Sequence, residues 1–493
     1  MQTAPTQEVQ IAVPVISSGA QASVLRRLCV ALFEPVDISF LVFFRIVFGG
    51  IMLWETYRYF THGWIARYFI EPAVNFTYYG FSWVKPWPGS GMYVHFFVLG
   101  LAAALVMVGF LYRIAAPVLF LTFTYSFLLD QTRFMNHFYL VCLISFLMCF
   151  LPAERAFSVD SLLRRKIRSD VVPAWTLWLL RLQVGLPYFF GGIAKLNSDW
   201  IYGGEPMRIW LSPLAKIPAF GHIFAADWVV HSFVIGGLLL DLLVVPLLLW
   251  RRTRLFAFVA AVLFNLINSV LFDIGIFPWL MLGALLIFFP PDVPRRFARA
   301  FMSSGEDVLD AEPSPVSKRS SSTSLSTSQK LIVGLLAAYL AVQVILPLRH
   351  YLYPGNVSWT EEGHNFSWHM KLRTKTGEAV FTVTHPQSGQ TWTIKPEEHL
   401  KSHQVMKMIT KPDLILHFAH YLAELKRREG YENVEVRARA MVSLNGREPQ
   451  LLIDPNVDLA KEEVGLLPAR WIVPLTTPLG SPKLLNSSAV EDE

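Results

Sequence analysis

The chain has 493 residues, 53% of them hydrophobic and only 16% charged, whereas soluble globular chains are nearer about a quarter charged. A formal charge of +6 invites a nucleic-acid partner, but Lys and Arg collect in the gaps between apolar runs, which argues against that class. The three cysteines, Cys29, Cys142 and Cys149, all lie in the first third, so no disulfide framework is expected in the C-terminal region.

In chain order, residues 1–34 lack a compact apolar stretch with a cleavage site and are expected to be a cytoplasmic segment rather than a removed leader. Nine apolar runs follow at 37–57, 93–112, 114–130, 134–152, 174–194, 228–250, 254–272, 275–291 and 331–348. Most approach the ~20 residues that a helix needs to cross hydrocarbon, and the third and eighth are short. With a cytoplasmic N-terminus, fourteen Lys or Arg fall inside, among them Arg164, Arg165, Lys166, Arg251 and Arg252, against seven outside. That bias follows the positive-inside rule and sends the C-terminus outward. Residues 303–330, rich in Ser with Pro and mixed charge, are predicted to form a disordered cytoplasmic loop. Beyond about 357 the pattern changes. Ala379–Thr393 alternates around Ser388-Gly389, and Val434–Leu444 alternates up to Asn445-Gly446, a hairpin signal. Between them Leu414, Phe418, Leu422 and Leu425 mark one helix face, with Gly430 as its stop. The expected fold is a polytopic α-helical membrane protein. About nine transmembrane helices occupy residues 35–348, an extracytoplasmic α+β domain occupies 349–475, and a flexible tail occupies 476–493.

An ionisable side chain at the centre of a membrane helix costs about 2.5–3.5 kcal/mol, so such groups are candidates for chemistry. Lys195 ends an apolar run in GGIAKLNSDW (191–200), where Gly191 and Gly192 permit close helix contact. Burial would lower its pKa and yield a neutral amine able to act as a base; snorkelling to the interface is the plainer account. Asn136 and His137, at the outer start of the fourth run, can hydrogen-bond a polar head group or cap a helix. Asn265, Asn268 and Ser269 share one helical face, as a polar binding surface or as interhelical glue. Arg45, Arg181 and Asp241 are expected to be structural pairing partners. His417 and His420 lie three apart without an evident third ligand, so no metal is expected.

The block GGIAKLNSDW, with NHFYL (136–140), FSVDSLL (157–163), INSVLFDIGIF (267–277), VSWTEEGHNFSWHMKLRTK (357–375) and VSLNGREPQLLIDPNVD (442–458), resembles the vitamin K-dependent gamma-glutamyl carboxylases. The similarity runs from about residue 35 to 475. It implies that reduced vitamin K (or a menaquinone-type hydroquinone), oxygenated by dioxygen to its epoxide, furnishes a strong base. That base removes a γ-proton from a glutamate of an exported protein or peptide, and the carbanion takes up carbon dioxide. By position, the resemblance makes Lys195 the initiating base and His137 its catalytic companion. Asn136, Tyr139, Asn265, Asn268 and Ser269 would hold the quinone, and Trp359, His364, Phe366 and Trp368 would meet the glutamate. Ala194 stands where the animal enzymes have a second lysine, His364 stands where tyrosine is usual, and the luminal cysteines are missing. With the shorter chain, these departures suggest a prokaryotic member in the inner membrane. Two other functions stay open: a quinone epoxidase without carboxylation, and a non-enzymatic quinone- or lipid-binding scaffold.

Overall fold

Apolar runs in lipid must satisfy every backbone hydrogen bond internally, which leaves the helix as their local solution. The computed structural model describes residues 26–218, 221–272, 274–302 and 325–479. The expected N-terminal segment, the serine-rich loop and the tail therefore lie mostly outside the described residues. Each apolar run is helical: α1 Ser39–Thr61, α2 Gly91–Val108, α3 Tyr112–Leu128, α4 Asn136–Met148, α5 Trp175–Ala194, α6 Asp227–Leu249, α7 Arg254–Leu271, α8 Phe277–Phe288, α9 Val293–Ala300 and α10 Thr327–Leu348.

Six of these (α1, α2, α5, α6, α7 and α10) are long and apolar enough to cross a membrane, and α8–α9 would add a seventh if the pair, bent by 99°, counts as one span. The expected nine crossings are thus reduced, by length and composition, to about six among the described residues. Two of the runs form helices shorter than a crossing: α3 has 17 residues, and α4 has 13 because its run starts on an extended Met135 (φ −135°, ψ 137°) and leaves the helix after Met148.

Small residues set the closest helix contacts. A Cβ on Gly49 of α1 would sit 2.7 Å from the backbone of Met107 on α2. A Cβ on Gly192 of α5 would sit 2.6 Å from the Leu242 side chain on α6. Phe44, Phe48, Phe96, Leu140, Leu180 and Phe288 fill the bundle core. Arg45 and Arg181 bond chain carbonyls: Arg45 donates to Ala153 and Phe157 at 2.6 and 2.5 Å, and Arg181 to Ile287 and Phe289 at 2.8 and 3.0 Å.

A small antiparallel pair, β1 Pro35–Asp37 with β2 Val171–Pro173, ties the start of α1 to that of α5. The C-terminal domain holds β3 Lys375–His385, β4 Gln390–Ile394, β5 Glu435–Leu444 and β6 Gln450–Leu451 in the order β4-β3-β5-β6, all antiparallel. Helix α11, Ser402–Met408, precedes α12, Pro412–Arg428, which lays Leu414, Phe418 and Leu422 on the sheet. Phe418 meets Phe381 edge-on at 4.9 Å. Gly430 ends the helix at φ +94°, and Asn445-Gly446 turns at φ +53° and +76°.

Polar contacts dock this domain on the bundle. Asp199 accepts two bonds from Arg447, both 2.7 Å, and one from Asn445 at 2.9 Å. Gln404 donates to Asp130 at 2.9 Å, and Asn136 donates from Nδ2 to the His369 carbonyl at 3.1 Å.

Candidate active site

Between the ends of α4, α5, α6 and α7 nearest the C-terminal domain and the underside of that domain lies a cavity of about 690 Å³. Its floor is apolar, with Pro187, Leu240, Leu263, Phe264, Ile267 and Met281 in the wall. Its volume is that of a pocket for a drug-sized molecule. Helix α7, which supplies Leu263, Phe264 and Ile267 to this floor, leaves most of its residues unburied on the bundle.

Lys195 caps the C-terminus of α5 and is buried, with 6% of its surface exposed. Its Nζ lies in direct hydrogen-bonded contact with Oδ2 of Asp241, which is equally buried on α6, and over the Trp200 ring at 5.4 Å. The lysine therefore does not snorkel. The glycine pair explains how the contact forms: Gly192 admits Leu242, and Cβ on Gly191 would stand 3.3 Å from Asp241 Oδ2.

Across the cavity, Asn136 and His137 begin α4. Asn136 does not cap its helix: the cap position is Met135, without a side-chain bond. Its Nδ2 instead reaches the outer domain, and its buried Oδ1 has no partner among the described residues. The roof comes from the 364–373 segment and from α11 with the turn after it: His364, His369, Met370, Lys371, Arg373, Lys407 and Lys411. Behind the roof Glu361 pairs with Arg373 and, at 3.2 Å, with Lys375. Burial alone would raise the Glu361 carboxyl, but these cations outweigh it and hold the group well below the usual carboxylate range. Burial and the nearby His350 and Arg373 push His369 down to about 3, and burial with Arg373 takes His364 well below its ordinary value. Both rings are neutral at physiological pH.

A family model described as "HTTM domain" matches residues 33–293, more than half of the chain, and one described as "Vitamin K-dependent gamma-carboxylase, lumenal domain" matches residues 328–478. This chain belongs to the vitamin K-dependent gamma-carboxylase family. No solved structure matches it. The two matches meet at the cavity, whose floor lies in the first region and whose roof lies in the lumenal domain.

Of the gamma-carboxylase residues singled out from sequence, the structure brings Lys195, His137, Asn136, Asn268 and His364 to this cavity. The others lie outside its wall. Tyr139, Phe366 and Trp368 form an aromatic cluster beside it, with centroids 4.9 and 5.0 Å from the tyrosine ring. Trp359 is fully buried in the lumenal core, its indole donating to the Val473 carbonyl at 2.7 Å. Asn265 bonds the Tyr188 hydroxyl at 3.3 Å and the Ala261 carbonyl at 2.8 Å, the glue arrangement. Ser269 bonds within its own helix, to the Leu266 carbonyl at 2.7 Å. Sequence reasoning missed Asp241 as the partner of Lys195, and missed His369, Lys407 and Lys411. An isolated acid in an apolar span was the signal for Asp241, but nothing in the spacing named its partner.

Proposed function

We propose that this protein is a membrane carboxylase that couples the oxygenation of reduced vitamin K to carboxylation of glutamate side chains in an exported protein. The observation that carries this reading is the buried Lys195–Asp241 pair facing Asn136 and His137 across one cavity. The cavity suits a hydroquinone. It offers apolar wall for the ring system, and Asn136 Oδ1 is an unpaired buried acceptor for a hydroxyl. When bound, reduced vitamin K with dioxygen supplies the strong base that the γ-proton of glutamate requires.

The chain's own part is proton handling and exclusion of water. Lys195 and Asp241 act as one acceptor: a proton arriving at Lys195 Nζ is balanced by transfer of an ammonium proton to Asp241 Oδ2. The pair passes from ammonium and carboxylate, neutral in total, to ammonium and carboxylic acid. The positive charge it gains is balanced by the hydroquinone oxygen that gave up the proton. His137 and Asn136 orient the ring hydroxyl opposite. The apolar floor keeps water from quenching a base far stronger than hydroxide. On this reading the helical bundle sits in a bacterial inner membrane, and the lumenal domain faces outward.

The test is to give the purified protein vitamin K hydroquinone, dioxygen, labelled bicarbonate and a glutamate peptide, and to follow epoxide and fixed label together. Both products rising in step is the expected result. Epoxide without label with every glutamate peptide tried would replace the reading by a hydroquinone epoxidase, and neither product from folded protein would favour a binding scaffold.

A further inference from the structure

The cavity wall is unbalanced in charge. Among the described residues five Lys or Arg side chains line it (Lys195, Lys371, Arg373, Lys407 and Lys411), against one carboxylate, Asp241, which Lys195 already engages. Lys371 is engaged elsewhere, which leaves Lys407 and Lys411 to carry the imbalance. In the roof Arg373 is compensated from behind by Glu361, which is shared with Lys375. Lys371 lies against the rings of Phe272 and Trp210, at 4.4 and 5.7 Å. Lys407 and Lys411 project from α11 and the turn before α12, and among the described residues neither has an ion-pair partner. Collecting like charges around a partly enclosed space is unfavourable unless an anion joins them.

A second observation points the same way. His364 and His369 are 6% and 7% exposed, line the same roof, and carry buried ring nitrogens without a hydrogen-bond partner among the described residues: both nitrogens of His369, and Nδ1 of His364, which lies 3.8 Å from Glu361 Oε2. A neutral imidazole has one N–H to donate, and a carboxylate can accept it.

We propose that this roof is the acid-recognition surface of the cavity, binding an acidic peptide segment through at least two carboxylates at once, with Lys407 and Lys411 as the specificity-determining residues. One carboxylate sits in the cavity under His364 and His369. A neighbouring carboxylate of the same peptide is held by the two lysines, so peptides with clustered acids are selected over those with one. The inference rests on the carboxylase reading for the identity of the peptide, but binding can be measured without turnover.

The experiment uses the full chain in nanodiscs of zwitterionic phosphatidylcholine and a fluorescent decapeptide with four glutamates, beside its four-glutamine and one-glutamate counterparts. Fluorescence anisotropy is read over a series of salt concentrations. The four-glutamate peptide should bind at least tenfold more tightly than either counterpart, with an advantage that shrinks as salt rises. Lys407→Gln with Lys411→Gln should remove most of that advantage, and Lys407→Arg with Lys411→Arg should keep it. Equal binding of the three peptides, or an equal loss for all three in the Gln variant, overturns the proposal. Lys195→Ala separates the two readings. Discrimination retained in that variant, while wild type fixes no label, would sink the carboxylase and leave the acid site standing. Label fixed by a wild type that does not discriminate would do the reverse.

Discussion

At the scale of single residues, the proposed chemistry rests on a pair that is 46 positions apart in sequence. A buried ion pair broken by removal of one partner leaves an uncompensated charge, at a cost of about 3–5 kcal/mol. Asp241→Asn keeps the shape but removes the proton sink. It should lower hydroquinone turnover by about 100-fold or more, within the range for loss of a positioned base. A variant with unchanged turnover would reduce Asp241 to packing. In the roof, the ammonium of Lys407 is reached by water from the cavity but closely surrounded by protein. Lost hydration first, then Lys411, Arg373 and Lys371, push it down to about 8, against the opposing pull of Glu361. Lys407 therefore holds its proton below about pH 8 and gives it up above. Affinity for an acidic peptide should be full near about pH 7 and fall as pH rises through that window, and bound carboxylates should delay the fall. The neighbouring His364 and His369 are already neutral there. A peptide titration that showed affinity rising with pH would contradict the assignment.

At the scale of elements, much was legible because periodicity and turn chemistry are local. The apolar runs became helices, Ser388-Gly389 joined β3 to β4 with His385 opposite Gln390, and Gly430 stopped α12. The count of crossings was less legible, since hydropathy does not show that the 134–152 run is helical only from Asn136 to Met148. The outer segment was least legible. Phe366, Trp368 and Lys371 all take positive φ (+66°, +58° and +49°), so neither a helical nor a strand period predicts which side chain faces where. His364, His369 and Lys371 consequently reach the cavity, while Phe366 and Trp368 turn to Tyr139. The packing of α5 on α6 gives a direct test. Gly192→Val would drive its side chain into Leu242, forcing the helices apart and separating Lys195 from Asp241. The expected outcome is loss of turnover of at least tenfold together with a lower unfolding temperature. Normal activity in that variant would mean that the close approach does not position the pair.

At the scale of the whole molecule, the site exists only where two regions meet. The bundle supplies the floor and the Lys195–Asp241 pair, and the lumenal domain supplies the roof. The clamp between them lies in the same sequence block as Lys195: Asp199, four residues further on, holds Arg447 and Asn445 at the end of β5. Burial would raise the Asp199 carboxyl, but its bonds to Arg447 and Asn445 prevail and leave it below its ordinary value. Asp199→Ala would strand a buried guanidinium. It should destabilise domain docking by about 3–5 kcal/mol, seen as faster proteolysis between the two regions. Unaltered proteolysis would place the docking energy in other contacts. Sequence could associate Asp199 with Lys195 by proximity, but not with a hairpin about 250 positions away.

The most direct measurement is of epoxide and fixed carbon dioxide made by wild type and Lys195→Ala side by side, with both proteins shown to be folded. Wild type forming both products and the variant losing both by about 100-fold or more is what the Lys195–Asp241 base requires. A variant that still makes epoxide and carboxylated peptide at the wild-type rate would contradict it.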